Sequence, residues 1–326
     1  MAILIIGGAG YIGSHVNKWL HAHDYDTVVI DNLSYGHAEL VRWGKFIKGD
    51  IGDRRFLDEV FRTEKIEAVM HFAAYAYVGE SVADPAKYYD NNVAKTLVLL
   101  DAMRRHHVGH FVFSSSCATF GNATYTPIDE KHPQCPVNPY GRTKLMVEHI
   151  LQDYERAYGL KHCILRYFNA AGASFDTEIG EWHEPETHII PLVLDTAAEN
   201  REAFHVFGTD YPTDDGTCVR DYIHVCDLAE AHRLGMEYML QHGVSEHFNL
   251  GCARGYSIHE VIEAAKQITG KPIHVRYTDR REGDPPVLVG AFGKAQEVLH
   301  WSPRYSLDDS ITSAWKWHSR KYNRKN

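Results

Sequence analysis

The stretch AILIIGGAGYIGSH, Ala2 to His15, narrows the choice of fold more than any other. A short apolar run stops at a cluster of glycines, and a helical pattern begins at once. Gly7, Gly10 and Gly13 fit G-x-x-G-x-x-G, and Gly8, Gly10 and Gly13 also fit G-x-G-x-x-G. Glycines so placed allow a tight turn, backbone approach to a pyrophosphate, and close packing of helix on strand. The free N–H groups and macrodipole of the helix start then favour the phosphates. The second strand-like run ends in Asp31, 18 residues past Gly13. An acid there accepts hydrogen bonds from a ribose and repels a 2′-phosphate, which favours NAD over NADP. Asp50, closing the third run in GDI, reads either as a ligand of the adenine edge or as a turn cap.

Apolar runs alternate with helical patterns through the first half: AILII (2–6), TVVI (27–30), KFIKGD (45–50), AVMHFAA (68–74), HFVFSSS (110–116) and HCILRYF (162–168). Near-continuous apolar strands indicate a parallel sheet covered on both faces. Between them, Val93, Leu97, Leu100 and Met103 recur at helical spacing, as do Val147, Ile150, Leu151, Tyr154 and Tyr158. The expectation is an α/β fold with a doubly wound parallel (Rossmann) sheet over residues 1–169. From about Asn169 the chain becomes polar and irregular, as in GASFDTEIGEWHEPETH. Short strands (FHVFG, HFNLG, IHVRYT) and a helix opened by a capping box at Ser257–Glu260 follow. A smaller α+β substrate domain over 170–326 is expected, with some segments returning to the first domain.

The chain has 326 residues and a formal charge of −9, with 43 acidic against 34 basic residues. That balance argues against a nucleic acid or an anionic membrane as partner. Six cysteines are scattered without C-x-x-C, which suits reduced thiols in the cytoplasm. No run approaches the ~20 apolar residues of a membrane span. Histidine is plentiful at 22, but no metal-ligand spacing stands out, so no metal site is expected.

NPYGRTKLMVEHI, Asn138 to Ile150, places Tyr140 and Lys144 on one face of a helix start. A lysine charge beside a phenol favours the phenolate and lowers the tyrosine's pKa. Ser114, Ser115 and Ser116 end the fifth strand, at the edge where doubly wound sheets hold ligands. A hydroxyl, a phenol and an ammonium would converge there beside a nicotinamide, a set that moves a proton and a hydride on one carbinol carbon.

With these motifs assembled, the chain resembles the extended short-chain dehydrogenase/reductases, and among them the UDP-glucose (UDP-galactose) 4-epimerases. The likeness runs along the whole chain and is carried by GGAGYIGSH, HFAA, VGESV, YYDNNV, FSSSCATFG, NPYGRTK, LRYFNAAGA, GTDYPTDDGTCVRDYIHV and RREGDPP. It implies NAD-dependent epimerisation of a UDP-sugar at C4, with Tyr140 as base, Lys144 beside it and Ser116 on the reacting oxygen. It implies that Gly7, Gly10, Tyr11, Ile12 and Gly13 line the cofactor, with Asp31, Asn32, Asp50 and Ile51. Phe72, Ala73, Ala74, Asn91, Ser114, Tyr140, Lys144 and Phe168 complete that lining. Ser116, Tyr140, Asn169, His188, Ile189, Phe207, Arg220, Tyr222, Arg281 and Asp284 would hold the UDP-sugar, and a homodimer is implied through the helices after Asn91 and Tyr140.

Two departures bear on the sugar. Ala76 stands where many of these epimerases carry lysine, and Leu288 where a bulky tyrosine is frequent. A smaller wall residue admits a larger C2 substituent, so a UDP-N-acetylhexosamine substrate stays open. YAYVGES and DGTCVRDY also resemble UDP-xylose/UDP-arabinose 4-epimerases. A nucleotide-sugar 4,6-dehydratase would need an acid in the segment Ser116-Cys117-Ala118-Thr119, which has none. A non-enzymatic NAD-binding regulator would have no use for both Tyr140 and Lys144.

Overall fold

Residues 1–281 and 285–323 are described by the computed structural model of the chain. The apolar runs form strands β1 (Ala2–Ile6), β2 (Thr27–Asp31), β3 (Lys45–Lys48), β4 (Ile66–His71), β5 (His110–Ser116) and β6 (Lys161–Tyr167). Helices α1 (Tyr11–Ala22), α2 (Arg54–Thr63), α3 (Val78–Ala83), α4 (Pro85–Tyr89), α5 (Lys95–Arg105) and α6 (Pro139–Tyr158) lie between them in the chain. β1 pairs in parallel with both β2 and β4, so that Ile5 is in register with Val29 and with Met70. β3 adds to β2 and β5 to β4, again in parallel. The spatial order β6-β5-β4-β1-β2-β3 reverses direction at β1. A reversal of this kind is where doubly wound sheets place their ligands, beyond the carboxyl ends of the strands, here β1 and β4. Leu4, Ile6, Val28, Val69, Phe111 and Phe113 join Leu99, Leu100, Met103, Val147 and Leu151 of α5 and α6 in one buried core. Each such side chain contributes about 1.5–3 kcal/mol by leaving water.

Onward come β7 (Asn169–Ala171), α7 (Ile189–Ala197), β8 (Phe204–Phe207), β9 (Val219–Arg220) and β10 (Tyr222–His224). α8 (Val225–His242) then leads to β11 (Glu246–Leu250), which is the strand beyond β6 in the large sheet. HFNLG, expected among the small strands of the second region, is this seventh strand. Its fully buried Phe248 and Leu250 find cover there that a short surface strand would not give. β12 (Tyr256–Ser257), α9 (Ile258–Thr269), β13 (Val275–Thr278), β14 (Val287–Leu288), α10 (Gly293–Leu299) and α11 (Leu307–Asn323) complete the described chain. β7 pairs with β10 and β8 with β13, while β9 lies between β12 and β14. Ser257 and Glu260 form the expected capping box on α9.

The chain divides into two compact units. The first comprises Met1–Asn122, Pro133–Arg166 and Ala229–Phe248; the second, Ala123–His132, Tyr167–Leu228 and the chain from Asn249 onward. The second unit has its own core, including Val193, Leu194, Val261, Ile262 and Ile311. All six cysteines are thiols. Among the described residues, no helix is long and apolar enough to cross a membrane.

Candidate active site

The glycine turn is held by close backbone approach. Gly7 has φ +80°, and a Cβ on it would sit 2.5 Å from the backbone nitrogen of Ala73. The amides of Phe72 and Ala73 both donate to the Ile6 carbonyl, at 2.8 and 3.1 Å, which fixes the exit of β4 against the end of β1. A Cβ on Gly13 would meet the Gly7 carbonyl at 2.4 Å, so α1 starts hard against the turn. At Gly10, by contrast, a Cβ would touch only the Gly7 oxygen, at 3.3 Å, and no side chain caps α1 there. The first turn of α1, with Tyr11 and Ile12, therefore presents bare helix-start backbone, suited to an anion.

Asp31 accepts the Ala9 amide at 3.0 Å and the Leu33 amide at 2.8 Å, and its burial pushes the carboxyl up. Asp50 accepts from Asn32 at 2.8 Å and from the Lys95 ammonium at 2.9 Å. Partial burial raises its carboxyl, but Lys95, Gly52 and Asn32 together hold it below the usual range. Asp50 also accepts the Gly52 amide at 2.7 Å, as a turn residue does. Ile51 beside it is buried, and Ala74 is half-buried after β4.

α6 begins as its sequence dictates. Asn138 caps the Gly141 amide at 2.8 Å, Pro139 occupies the first turn, and Gly141 lets the helix approach the Ala118 carbonyl. A Cβ on Gly141 would lie 2.3 Å from that oxygen. This seats Tyr140 and Lys144 at the carboxyl end of β5, where Ser114 and Ser116 lie. Lys144 is 4% exposed, and its Nζ donates to the Ser114 carbonyl at 2.7 Å.

The electrostatics differ from the sequence expectation of a depressed phenol. Burial pushes the Tyr140 hydroxyl up to about 12, although a hydrogen bond with the Ser116 hydroxyl pulls it down. Burial also pushes the Lys144 ammonium down to about 7, against the attraction of Glu148 one turn on. Lys144 Nζ stands 6.0 Å from the Tyr140 ring centroid. At Tyr140 the loss of solvation outweighs the Ser116 hydrogen bond, and at Lys144 it outweighs the attraction of Glu148.

Sequence reasoning passed over the residues that brace this centre. Asn92 accepts the Tyr75 amide at 2.9 Å and donates to the Tyr75 carbonyl at 3.0 Å and to Thr143 Oγ1 at 3.1 Å. Asn91, expected on the cofactor, donates to Asn92 Oδ1 at 3.1 Å. Beneath the serines, Glu148 accepts from Ser115 at 2.5 Å, from Gln134 at 3.0 Å, and from Arg166 through Nε and Nη2. The one local signal was an acid one helical turn beyond Lys144.

The second unit carries the remaining expected residues. Asn169 on β7 donates its side-chain amide to the Asp221 carbonyl at 2.8 Å. Arg220 on β9 donates to the carbonyls of Val219 and Pro285, at 2.9 and 2.8 Å. Burial raises the Tyr222 hydroxyl while the Arg220 charge opposes it; that hydroxyl is buried with no hydrogen-bond partner among the described residues. The Arg281 guanidinium lies 3.8 Å over the Phe207 ring. Phe168 packs edge-on where a Cβ of Gly290 would be, 2.0 Å from its ring. His188 precedes α7 and Ile189 opens it. Leu288 on β14 is in register with Arg220. Asp284 lies outside the described residues.

A family profile described as the NAD dependent epimerase/dehydratase family matches residues 3–251. A UDP-glucose 4-epimerase of Rhizobium meliloti (strain 1021) is 54% identical over 319 residues, covering 98% of this chain and 97% of the relative. The crystal structure of UDP-glucose 4-epimerase from Brucella ovis in complex with NAD is 50% identical, with a TM-score of 0.95 and 97% of each chain covered. The Stenotrophomonas maltophila UDP-glucose-4-epimerase with bound NAD and formylated UDP-arabinopyranose is 38% identical, with a TM-score of 0.96 and 100% of each chain covered.

Proposed function

Because this chain belongs to the NAD dependent epimerase/dehydratase family, we propose that it is an NAD-dependent UDP-sugar 4-epimerase acting on UDP-glucose and UDP-galactose. The observation that carries this reading is the meeting of Tyr140, Ser116 and Lys144 on the same carboxyl edge of the sheet as the glycine turn. The residues fit the cofactor: Gly10 leaves open backbone at an uncapped helix start, and Asp31 closes β2. Gly7, Gly10, Gly13, Tyr11 and Ile12 hold the pyrophosphate, Asp31 and Asn32 the ribose, and Asp50 and Ile51 the adenine side. Phe72, Ala73, Ala74, Asn91, Ser114 and Phe168 line the rest. When bound, NAD supplies the hydride acceptor and donor for C4 and a positively charged ring.

Tyr140, as phenolate, accepts the 4-hydroxyl proton and hands it back after the 4-keto sugar has presented its other face. Ser116 donates to the reacting oxygen, the position its hydrogen bond to Tyr140 already prepares. Lys144, anchored on the Ser114 carbonyl, would hold the nicotinamide ribose. Arg220 and Arg281 neutralise the pyrophosphate, which reconciles an acidic protein with an anionic substrate. The orphaned Tyr222 hydroxyl gains a partner in the nucleotide, and Asn169, His188, Ile189 and Phe207 frame it. Asp284 is assigned with them from its motif.

Leu288, in register with Arg220, sets the room beside the sugar. Its size makes a UDP-N-acetylhexosamine the second substrate, and UDP-xylose the third to be offered. Exposed Leu97 on α5 and Met146 and Tyr158 on α6 support a homodimer through those helices, in the cytoplasm. The test offers UDP-galactose, UDP-N-acetylgalactosamine and UDP-xylose separately, without added NAD, and resolves the C4 epimers. UDP-galactose is expected to turn over fastest. No conversion of any of the three, even after NAD is supplied, would overturn the proposal.

A further inference from the structure

The segment EWHEPETH, just before α7 in the second unit, folds back on itself. His183 Nδ1 stands 3.2 Å from Glu181 Oε1 and 3.6 Å from Glu186 Oε2. His188 Nδ1 hydrogen-bonds Glu181 Oε1 and stands 3.8 Å from Glu186 Oε1. One donor atom from each of the four residues lies within 4.8 Å of every other. The two imidazole rings meet edge to face, 5.1 Å apart and inclined by 80°, so both present Nδ1 to the same carboxylates. We propose that Glu181, His183, Glu186 and His188 form a binding site for a divalent first-row transition ion, with zinc as its preferred test ion.

The chemistry of the donors sets the class. Two imidazoles and two carboxylates suit zinc and its neighbours, whereas calcium and magnesium take oxygen alone. Tetrahedral zinc with bonds of about 2.0–2.2 Å separates its ligand atoms by roughly 3.3–3.6 Å. The distances of 3.2, 3.6 and 3.8 Å bracket that spacing, and His188 has to draw back from its direct hydrogen bond with Glu181 to admit the ion. Neutral imidazoles and two carboxylates also match the charge of the ion, and any proton held on Nδ1 leaves to solvent as the bond to metal forms.

The scaffold is preformed around the donors. The Glu181 carbonyl accepts from Trp317 Nε1 at 3.0 Å, and Gly180 lies against that indole, where a Cβ would be 2.4 Å from the ring. Glu186 Oε1 takes the amides of Thr187 and His188, each at 2.8 Å, which leaves Oε2 turned toward His183. The Glu181 side chain is only 6% exposed and its carboxylate is already partnered by both imidazoles, so an entering ion takes the place of their protons. A bound ion would clamp this segment to the start of α7. His188 is shared with the proposed nucleotide frame, and metal content reads the ion site independently of turnover.

The purified full-length protein is dialysed against micromolar Zn²⁺, then against metal-free buffer, and its metal is measured by mass spectrometry. The same is done for His183→Ala and, separately, Glu181→Gln, with far-UV circular dichroism and NAD binding as checks of folding. Wild type is expected to retain about one zinc per chain, and each variant to bind at least ~10-fold more weakly. Co²⁺ loaded in place of zinc should give visible d–d absorption that folded variants lack. No zinc retained by wild type would overturn the site, as would equal retention by a folded variant.

Discussion

At Tyr140, burial and hydrogen bonding pull in opposite directions, and burial wins. A phenol held up by burial is a poor base at neutral pH unless positive charge stands beside it. The positive charge of the bound cofactor must therefore complete what Lys144, itself pushed down to about 7, supplies only in part. Two outcomes follow from that sign. NAD binding at about pH 9 should generate tyrosinate absorbance in wild type and none in Tyr140→Phe. Tyr140→Phe should lower turnover by roughly 10²–10⁴ while retaining NAD, and wild-type turnover should fall on the acid side as the phenolate fraction falls. Turnover within a few-fold of wild type in the variant would remove Tyr140 from the role. Tyr140 and Lys144 were legible because their relation is local, four residues on one helix. The pairing of Glu148 with Arg166 was not, since it joins a helix to a strand across a turn that no pattern encodes.

For elements, α6 shows how much of a site is written in one helix start. Asn138, Pro139 and Gly141 each have a distinct duty, as cap, first-turn residue and close-contact position. Asn138→Ala should cost about 1 kcal/mol of stability, read by urea denaturation. It should also lower kcat, because the loosened turn carries Tyr140; a stability loss with unchanged kcat would show that the cap does not position the base. Strands were legible where apolar runs are continuous, and β1 and β5 keep their expected limits. Periodicity misjudged one face of α5: Leu97 is 37% exposed while its neighbours Leu99 and Leu100 are buried. The helix is preceded by a wider turn, Asp90–Ala94, with i→i+5 bonding, which rotates the stripe that a regular spacing assumes. The four donors of EWHEPETH were not legible as a group for a similar reason, since they converge through turns and not through a fixed helical or strand interval.

For the molecule as a whole, the chain visits its two units alternately, so no single boundary in the sequence separates them. The sequence showed the change of texture near Asn169, but not that α8 and β11 rejoin the first sheet, because return depends on which edge is vacant. The 4-epimerisation proposed for this chain is an oxidation and a reduction at one carbon with no net redox change. UDP-galactose carrying deuterium at C4 is incubated with the protein in ordinary water, and the UDP-glucose formed is examined by mass spectrometry and NMR. Deuterium retained at C4 of the product is the predicted result. Its replacement by solvent hydrogen would contradict the account.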